Sequence, residues 1–341
     1  MPLPPLKEQQ EIVRILESLM SLADDFENTK EELKRIEKRI EKSLLKFALN
    51  GKISLGFRRE NPSLNAKLEI LAFNKQVENK KEEIKNEIEN KENEIKKLES
   101  KIKEYKKAAK DSSDSKSSNL IVETNLSLQE LKTQIRELKK DSLKLKVINI
   151  ENVESQTSLG DKISFKIPPS WAWVRLGDIC EIYTGDSINA DLKQKEFTNK
   201  EKGVNYIATK DINNRIIDYE NGVKITDDFI HKFKIAKEDS TLLCIEGGSA
   251  GRKIGFLEQS VCFGNKLCCF EPHFANAKFV YFYLQSSVFL AFFNTEISGI
   301  IGGVNKDKLP NFKIPLPPLK EQEFIAKKLE ELFVLTKELK T

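Results

Sequence analysis

Ile12, Leu19, Phe26, Leu33, Ile40 and Phe47 recur at successive sevens near the start of the chain. Ile15, Leu22 and Ile36 fill the +3 positions of the same repeat, and Leu16, Ala23 and Leu44 the +4 positions. This spacing predicts one helix from Lys7 to about Asn50, with an apolar seam that calls for a partner helix. At 1.5 Å per residue the rod is about 65 Å long. Asn50-Gly51 ends it, because glycine supplies the left-handed cap. Turn signals at Gly56 and Asn61-Pro62 precede a second helical stretch, from about Ala66 to Lys110. Its heptad positions are Val77, Ile84, Ile88, Ile95, Leu98, Ile102 and Tyr105, interrupted by Lys81 and Lys91. The run from Asp111 to Ser118 reads as a polar loop, and a third helix is expected from Ser127 to Lys146. The second and third helices are expected to fold back as an antiparallel hairpin.

Beyond about residue 165 the periodicity changes. Short apolar runs (Val204–Ile207, Thr241–Ile245, Leu267–Phe270) alternate with turn signals, as expected of a β-rich domain. Ala277–Asn294 reads as one amphipathic helix, with Phe279, Phe282, Phe289 and Phe293 packing into a core. The fold class expected is therefore α+β, a mixed, β-rich domain attached to long antiparallel coiled-coil helices. The boundaries expected are a long helix over 1–58, a helical hairpin and linker over 59–164, the β-rich domain over 165–313, and a further helix starting within 314–341.

Composition sharpens this picture. Of 341 residues, 57 are Lys or Arg and 53 are Asp or Glu, too polar for a single compact globule of this length. The stretch from Lys75 to Lys110 holds 12 Lys and 9 Glu, the mark of a solvated coiled-coil face. Residues 165–313 carry 19 Lys and Arg against 18 Asp and Glu, so composition alone does not mark that domain as a nucleic-acid binder. No apolar stretch approaches the ~20 residues that span a bilayer. Met1–Glu8 lacks the basic and apolar regions of a signal peptide, and a cytoplasmic address is expected. Cys180, Cys244, Cys262, Cys268 and Cys269 show no CxxC spacing and read as buried, reduced thiols. With only His231 and His273 beside them, a zinc site is not expected.

The chain contains an internal repeat. Pro2-Leu-Pro-Pro-Leu-Lys-Glu-Gln9 recurs as Pro315-Leu-Pro-Pro-Leu-Lys-Glu-Gln322, and 13 of the 21 positions in 2–22 match 315–335. The identities extend beyond what a helix start requires and indicate duplication.

Catalytic chemistry is sparse. Glu246-Gly-Gly-Ser-Ala-Gly-Arg-Lys-Ile-Gly255 fails the GxxxxGK[ST] phosphate-cradle pattern. A tight turn with two cations at its tip remains, of a kind that meets a phosphate or a guanine edge. Ser298–Lys306 is a second loop of this character, and Thr184-Gly185-Asp186-Ser187 a third. Two histidines and no nucleophile elbow leave little room for triad chemistry, so the chain by itself reads as a non-enzyme.

Three segments resemble type I restriction–modification specificity subunits. Leu309-Pro-Asn-Phe-Lys-Ile-Pro-Leu-Pro-Pro-Leu-Lys-Glu-Gln322 resembles the junction between recognition domain and helix in that family. Ile167-Pro-Pro-Ser-Trp-Ala-Trp-Val-Arg-Leu-Gly-Asp178 resembles the entry to a target recognition domain, and Leu44–Lys52 the end of the conserved helix. The Gly247–Gly255 loop and Phe263-Gly-Asn-Lys266 sit where such domains carry a Gly-rich hairpin and an Asn-containing turn. The resemblance implies helices holding two recognition domains apart on a bipartite double-stranded DNA target. It implies methyltransferase partners using S-adenosylmethionine, motor-nuclease partners using ATP and Mg, and no cofactor on this chain. With one recognition domain, the chain resembles a half-subunit, expected to form a homodimer or to pair with another half. Candidate DNA-contacting residues are Ser249, Arg252 and Lys253, then Asn305 and Lys306, then Lys210. The competing expectation is a coiled-coil scaffold or adaptor with a small β-rich ligand-binding domain.

Overall fold

The computed structural model describes residues 4–111, 115–151, 166–297 and 302–338. The chain divides into two compact units, one made of Met1–Leu64 and Glu151–Thr341, the other of Asn65–Ile150.

The second unit is a hairpin of two helices, α3 (Ala66–Asp111) and α4 (Ser115–Lys144). Cross-helix ion pairs Glu99–Lys132 and Glu92–Lys139 fall at rising and descending positions, which fixes the antiparallel pairing. At its base the Asn74 side chain donates to Ile148 O at 2.9 Å and accepts from Ile148 N at 2.8 Å. The helix expected to start at Ser127 begins at Ser115 instead, inside the stretch expected to be a polar loop. Leu120, Leu126 and the residues between them continue the helix without a strong apolar stripe, which is why periodicity missed this turn.

In the first unit, α1 (Leu6–Leu49) runs through the predicted heptads. Most of its seam is bare: Ile12, Leu19, Phe26 and Leu33 are exposed. Only its last turns are covered, and by a different face, since Glu41, Leu45, Ala48 and Leu49 are buried while Phe47 is not. That face meets α7 (Leu319–Glu338), the helix of the second repeat, and two helices of the β-rich domain.

The β-rich domain opens with β1 (Ala172–Arg175) and closes with β12 (Lys313–Leu316), paired antiparallel with Ala172 opposite Leu316. Arg175 and Lys313 face each other as like charges, and the Glu151 carboxylate accepts from Arg175 at 2.7 Å and pairs with Lys313 at 3.4 Å. Burial would raise this carboxyl's pKa, but the two cations outweigh it and hold it below the usual carboxylate value.

Two four-stranded sheets lie between these ends. One is ordered β2-β11-β8-β9, formed by Cys180–Thr184, Leu267–Pro272, Thr241–Cys244 and Ile254–Phe256. The other is ordered β6-β3-β10-β7, formed by Lys224–Ile225, Val204–Ile207, Val261–Phe263 and Ile235–Ala236. A small hairpin, β4 (Ile212–Asn213) and β5 (Ile216–Ile217), packs beside β9. Ile207 and Phe263 from one sheet meet Leu242, Cys244, Leu267 and Cys269 from the other in one core. A smaller cluster, built on Phe197, Tyr206, Ile225 and Cys262, covers the far side of β3 and β10.

The helix expected over Ala277–Asn294 is two helices, α5 (Ala277–Tyr283) and α6 (Ser287–Glu296). Ser286 makes the break: its hydroxyl accepts from Phe289 N and starts α6 as an N-cap. Phe279, Phe282, Phe289 and Phe293 are buried, as expected.

The second repeat is a structural hub. Glu321, 1 % exposed, accepts from Arg58 Nη1 at 2.6 Å and from Trp171 Nε1 at 2.9 Å. Arg58 lies on α2 (Leu55–Glu60) and also donates to Gly51 O at 2.6 Å, so one carboxylate ties the end of α1 to the domain's entry. Gln322 donates to Pro317 O and accepts from Asn276 N.

Candidate nucleic-acid interface

Topology brings the candidate loops to one end of the two sheets. β2 and β8 finish there and β11 and β9 start there; β3 and β10, which pair parallel, both finish there. The segments 185–187, 208–211, 245–253 and 264–266 therefore share an edge. Hydrogen bonds join them: Asp186 N to Phe263 O (2.9 Å), Gly264 N to Ile207 O (2.9 Å) and Ile245 N to Lys266 O (3.0 Å). The chain then returns along the Gly-rich loop, with Gly247 N on Gly302 O and Val304 N on Ile245 O. That antiparallel contact carries Asn305 and Lys306 past Ile245 toward the start of β11, where Lys306 lies near Cys268. Residues 298–301 of the loop expected there lie outside the described residues.

The six candidates differ in what their side chains do. Arg252 is exposed and pairs with no described residue; Lys306 is the same. Ser249 sits in a 3-10 turn, its carbonyl accepting from the backbone N–H of Arg252 and Lys253. Lys253 turns inward, donating to Thr209 O at 2.9 Å and Asn213 Oδ1 at 3.1 Å. Asn305 caps the 3-10 helix that follows it by accepting from Asp307 N. Lys210 is exposed, 3.2 Å from Asp211, whose other oxygen accepts from Ala208 N. So Arg252, Lys306 and Lys210 present charge, while Lys253 and Asn305 hold the loops that carry it.

Residues left out of the candidate set share this edge. Lys266 and Asn265 are exposed in the turn between β10 and β11, and Lys266 pairs with no described residue. Lys234 donates to Thr184 O at 2.8 Å, and its backbone N–H reaches Asp186 at 2.7 Å, fixing the 184–187 loop. Beside the Gly-rich loop an open groove of about 480 Å³ is lined by Gly248, Gly251, Arg252, Leu290 and Asn294. Gly251 has φ of +71°, and a Cβ there would stand 3.1 Å from the Phe293 ring, so any other residue at this place would be strained and would press on α6.

Among the described residues no cluster of three His, Cys, Asp or Glu side chains is placed to hold a metal, and no helix is long and apolar enough to cross a membrane. The arrangement gathers cations and amides on loops at one end of a two-sheet domain.

The model for the type I restriction modification DNA specificity domain matches residues 168–341, half of the chain, and the chain belongs to that family. No curated protein matches it. Solved structures that it is similar to include one described as the structural basis of complex assembly and conformational transition of the type I R-M system. That chain is 22% identical with a TM-score of 0.41, covering 64% of this chain and 52% of that one. The HsdS subunit from Thermoanaerobacter tengcongensis is 20% identical, with a TM-score of 0.40 and coverage of 66% and 53%. The type-I restriction-modification system S subunit from M. genitalium is 16% identical, with a TM-score of 0.36 and coverage of 76% and 56%. The chain thus spans about half the length of these proteins.

Proposed function

We propose that this chain is a cytoplasmic DNA-specificity subunit of a type I restriction–modification system, directing methyltransferase and restriction subunits to a bipartite target. The observation that carries the proposal is the gathering of Lys210, Arg252, Lys266 and Lys306 on one loop edge of the domain that the family model covers. Phosphate contacts from such cations set register, and base-edge contacts from Arg252, Ser249 or Asn265 specify sequence. The chain binds no cofactor in this reading. Adenine methylation with S-adenosylmethionine, and ATP- and Mg-dependent translocation and cleavage, belong to the partner subunits.

The bare seam of α1 supports pairing with a second copy or another half-subunit. At its covered end, Ile40 and Leu44 with Leu332 and Leu335 line an apolar groove of about 420 Å³, shaped to receive a further helix. One near-neutral domain neutralises few phosphates, so tight binding is expected only from the assembly.

Co-expression with the methyltransferase subunit tests the proposal. The two should copurify and together retard duplex DNA in a sequence-dependent way. Self-association with no methyltransferase retained and no DNA bound would favour a scaffold protein instead.

A further inference from the structure

We infer that Arg215 is a positioning residue: through the β4–β5 turn it fixes the angle at which the recognition loops are held relative to α1, and so the separation of the two half-sites. The inference rests on the proposed specificity-subunit reading for its second half only.

The turn between β4 and β5 is made by Asn214 and Arg215, with φ of +50° and +69°. Two left-handed residues in a two-residue hairpin suit Asn-Gly, and arginine is a poor choice for the second place. Its side chain explains its presence. The guanidinium donates twice to Glu41, Nη1 to Oε1 at 3.1 Å and Nη2 to Oε2 at 2.6 Å, across 174 residues of sequence. Glu41 lies on α1 and is 8 % exposed. The same guanidinium sits 5.6 Å from the centre of the Phe333 ring on α7. One turn residue therefore grips both helices.

Two residues earlier the same turn grips the reading edge. Asn213 accepts from Lys253 at 3.1 Å and donates to Lys210 O at 3.0 Å. Three consecutive residues, Asn213 to Arg215, thus span from helix to recognition loops. The hairpin itself is seated firmly: Ile212 and Ile217 are buried, and a Cβ at Gly255 would stand 2.4 Å from Ile217, so β9 accepts the hairpin only through glycine. Behind Arg215 lies a cavity of about 260 Å³, lined in part by Tyr219, Phe256 and Tyr281. On this side the link is an ion pair beside open space, not close packing.

The test measures orientation first and DNA second. Spin labels at Lys38→Cys on α1 and Asp228→Cys in the domain report one distance, since the five native thiols are buried. The otherwise unaltered chain should give a narrow distribution, and Arg215→Ala or Glu41→Ala a broad one. Arg215→Glu combined with Glu41→Arg should narrow it again, and Arg215→Lys, lacking the planar fork, should fall between. An unchanged width in Arg215→Ala overturns the positioning role. In a host carrying the chain with its methyltransferase, Arg215→Ala should keep the half-site bases but lose about tenfold of the preference for one spacer length. Retention of that preference would overturn the spacing role. Should the parent chain direct no sequence-specific methylation, the specificity-subunit reading fails and the spin-label arm still decides the positioning role. If Arg215→Ala does not fold, Arg215→Lys and the exchanged pair carry the same comparison.

Discussion

Glu321 and Glu8 occupy the same place in the two copies of the repeat, and the structure gives them opposite surroundings. Around both, Gln9 donates to Pro4 O at 2.7 Å and Gln322 to Pro317 O at 2.8 Å, so the local helix start is the same. Only Glu321 is buried, between Arg58 and Trp171; Glu8 is exposed. Removing one partner of a buried, hydrogen-bonded ion pair leaves an uncompensated charge. Glu321→Ala should therefore destabilise the first unit by about 3 kcal/mol, seen as a lowered urea midpoint, whereas Glu8→Ala should stay within about 0.5 kcal/mol. Equal effects would show that the hub is not what the second repeat is for. The thiols give a second prediction at this scale. Burial, with Asp186 adding to it, pushes Cys262 up to about 12; burial likewise takes Cys269 to about 12. At pH 8 such a group is thiolate only to about 1 part in 10⁴. The native chain should resist thiol–disulfide reagents at pH 8 and release five reactive thiols on unfolding; a fast-reacting native thiol would contradict the described core.

Among the elements, α1 was legible from sequence almost to the residue, because six heptads and a glycine stop are local signals. The hairpin of α3 and α4 was legible in outline, and lost its first turns of α4 where the apolar residues of 115–126 are bunched at 120–122 instead of spaced as a stripe. What the sequence hid is everything decided by distant pairing. Nothing near Glu321 points to Arg58, which is 263 residues away. Arg252 and Lys253 look alike in the chain, and only Asn213 and Thr209 decide that the second turns inward, while the first pairs with no described residue. Lys266 lies in a turn the sequence singles out, but a Gly-Asn-Lys turn marks no contact by itself until the strands bring it beside Ile245 and the Gly-rich loop. The exposed seam of α1 makes its own prediction. Leu19 and Leu33 are 56 % and 39 % exposed, and the chain should self-associate at micromolar concentration through them. Leu19→Lys with Leu33→Lys should give monomers by sedimentation without loss of helix content, since each lysine would bury an unpaired charge in the seam. A parent chain that stays monomeric at high concentration would contradict the pairing role.

For the whole molecule, the reading edge and the seam combine into one geometric claim. If two copies pair through antiparallel helices, a two-fold axis relates their recognition domains, and each reads the same short sequence on opposite strands. Major-groove readers on one face of B-DNA stand about 10–10.5 bp apart, centre to centre, a span of about 34 Å that a rod of about 65 Å supports. Methylome sequencing of a host in which this chain is the sole specificity determinant for its methyltransferase tests this most directly. The expected target is an inverted repeat with an unread spacer, and Arg252→Ala should weaken recognition at symmetric positions in both halves, by ~1–3 kcal/mol per site for a bidentate contact to guanine. A contiguous, asymmetric target would contradict the paired reading mechanism.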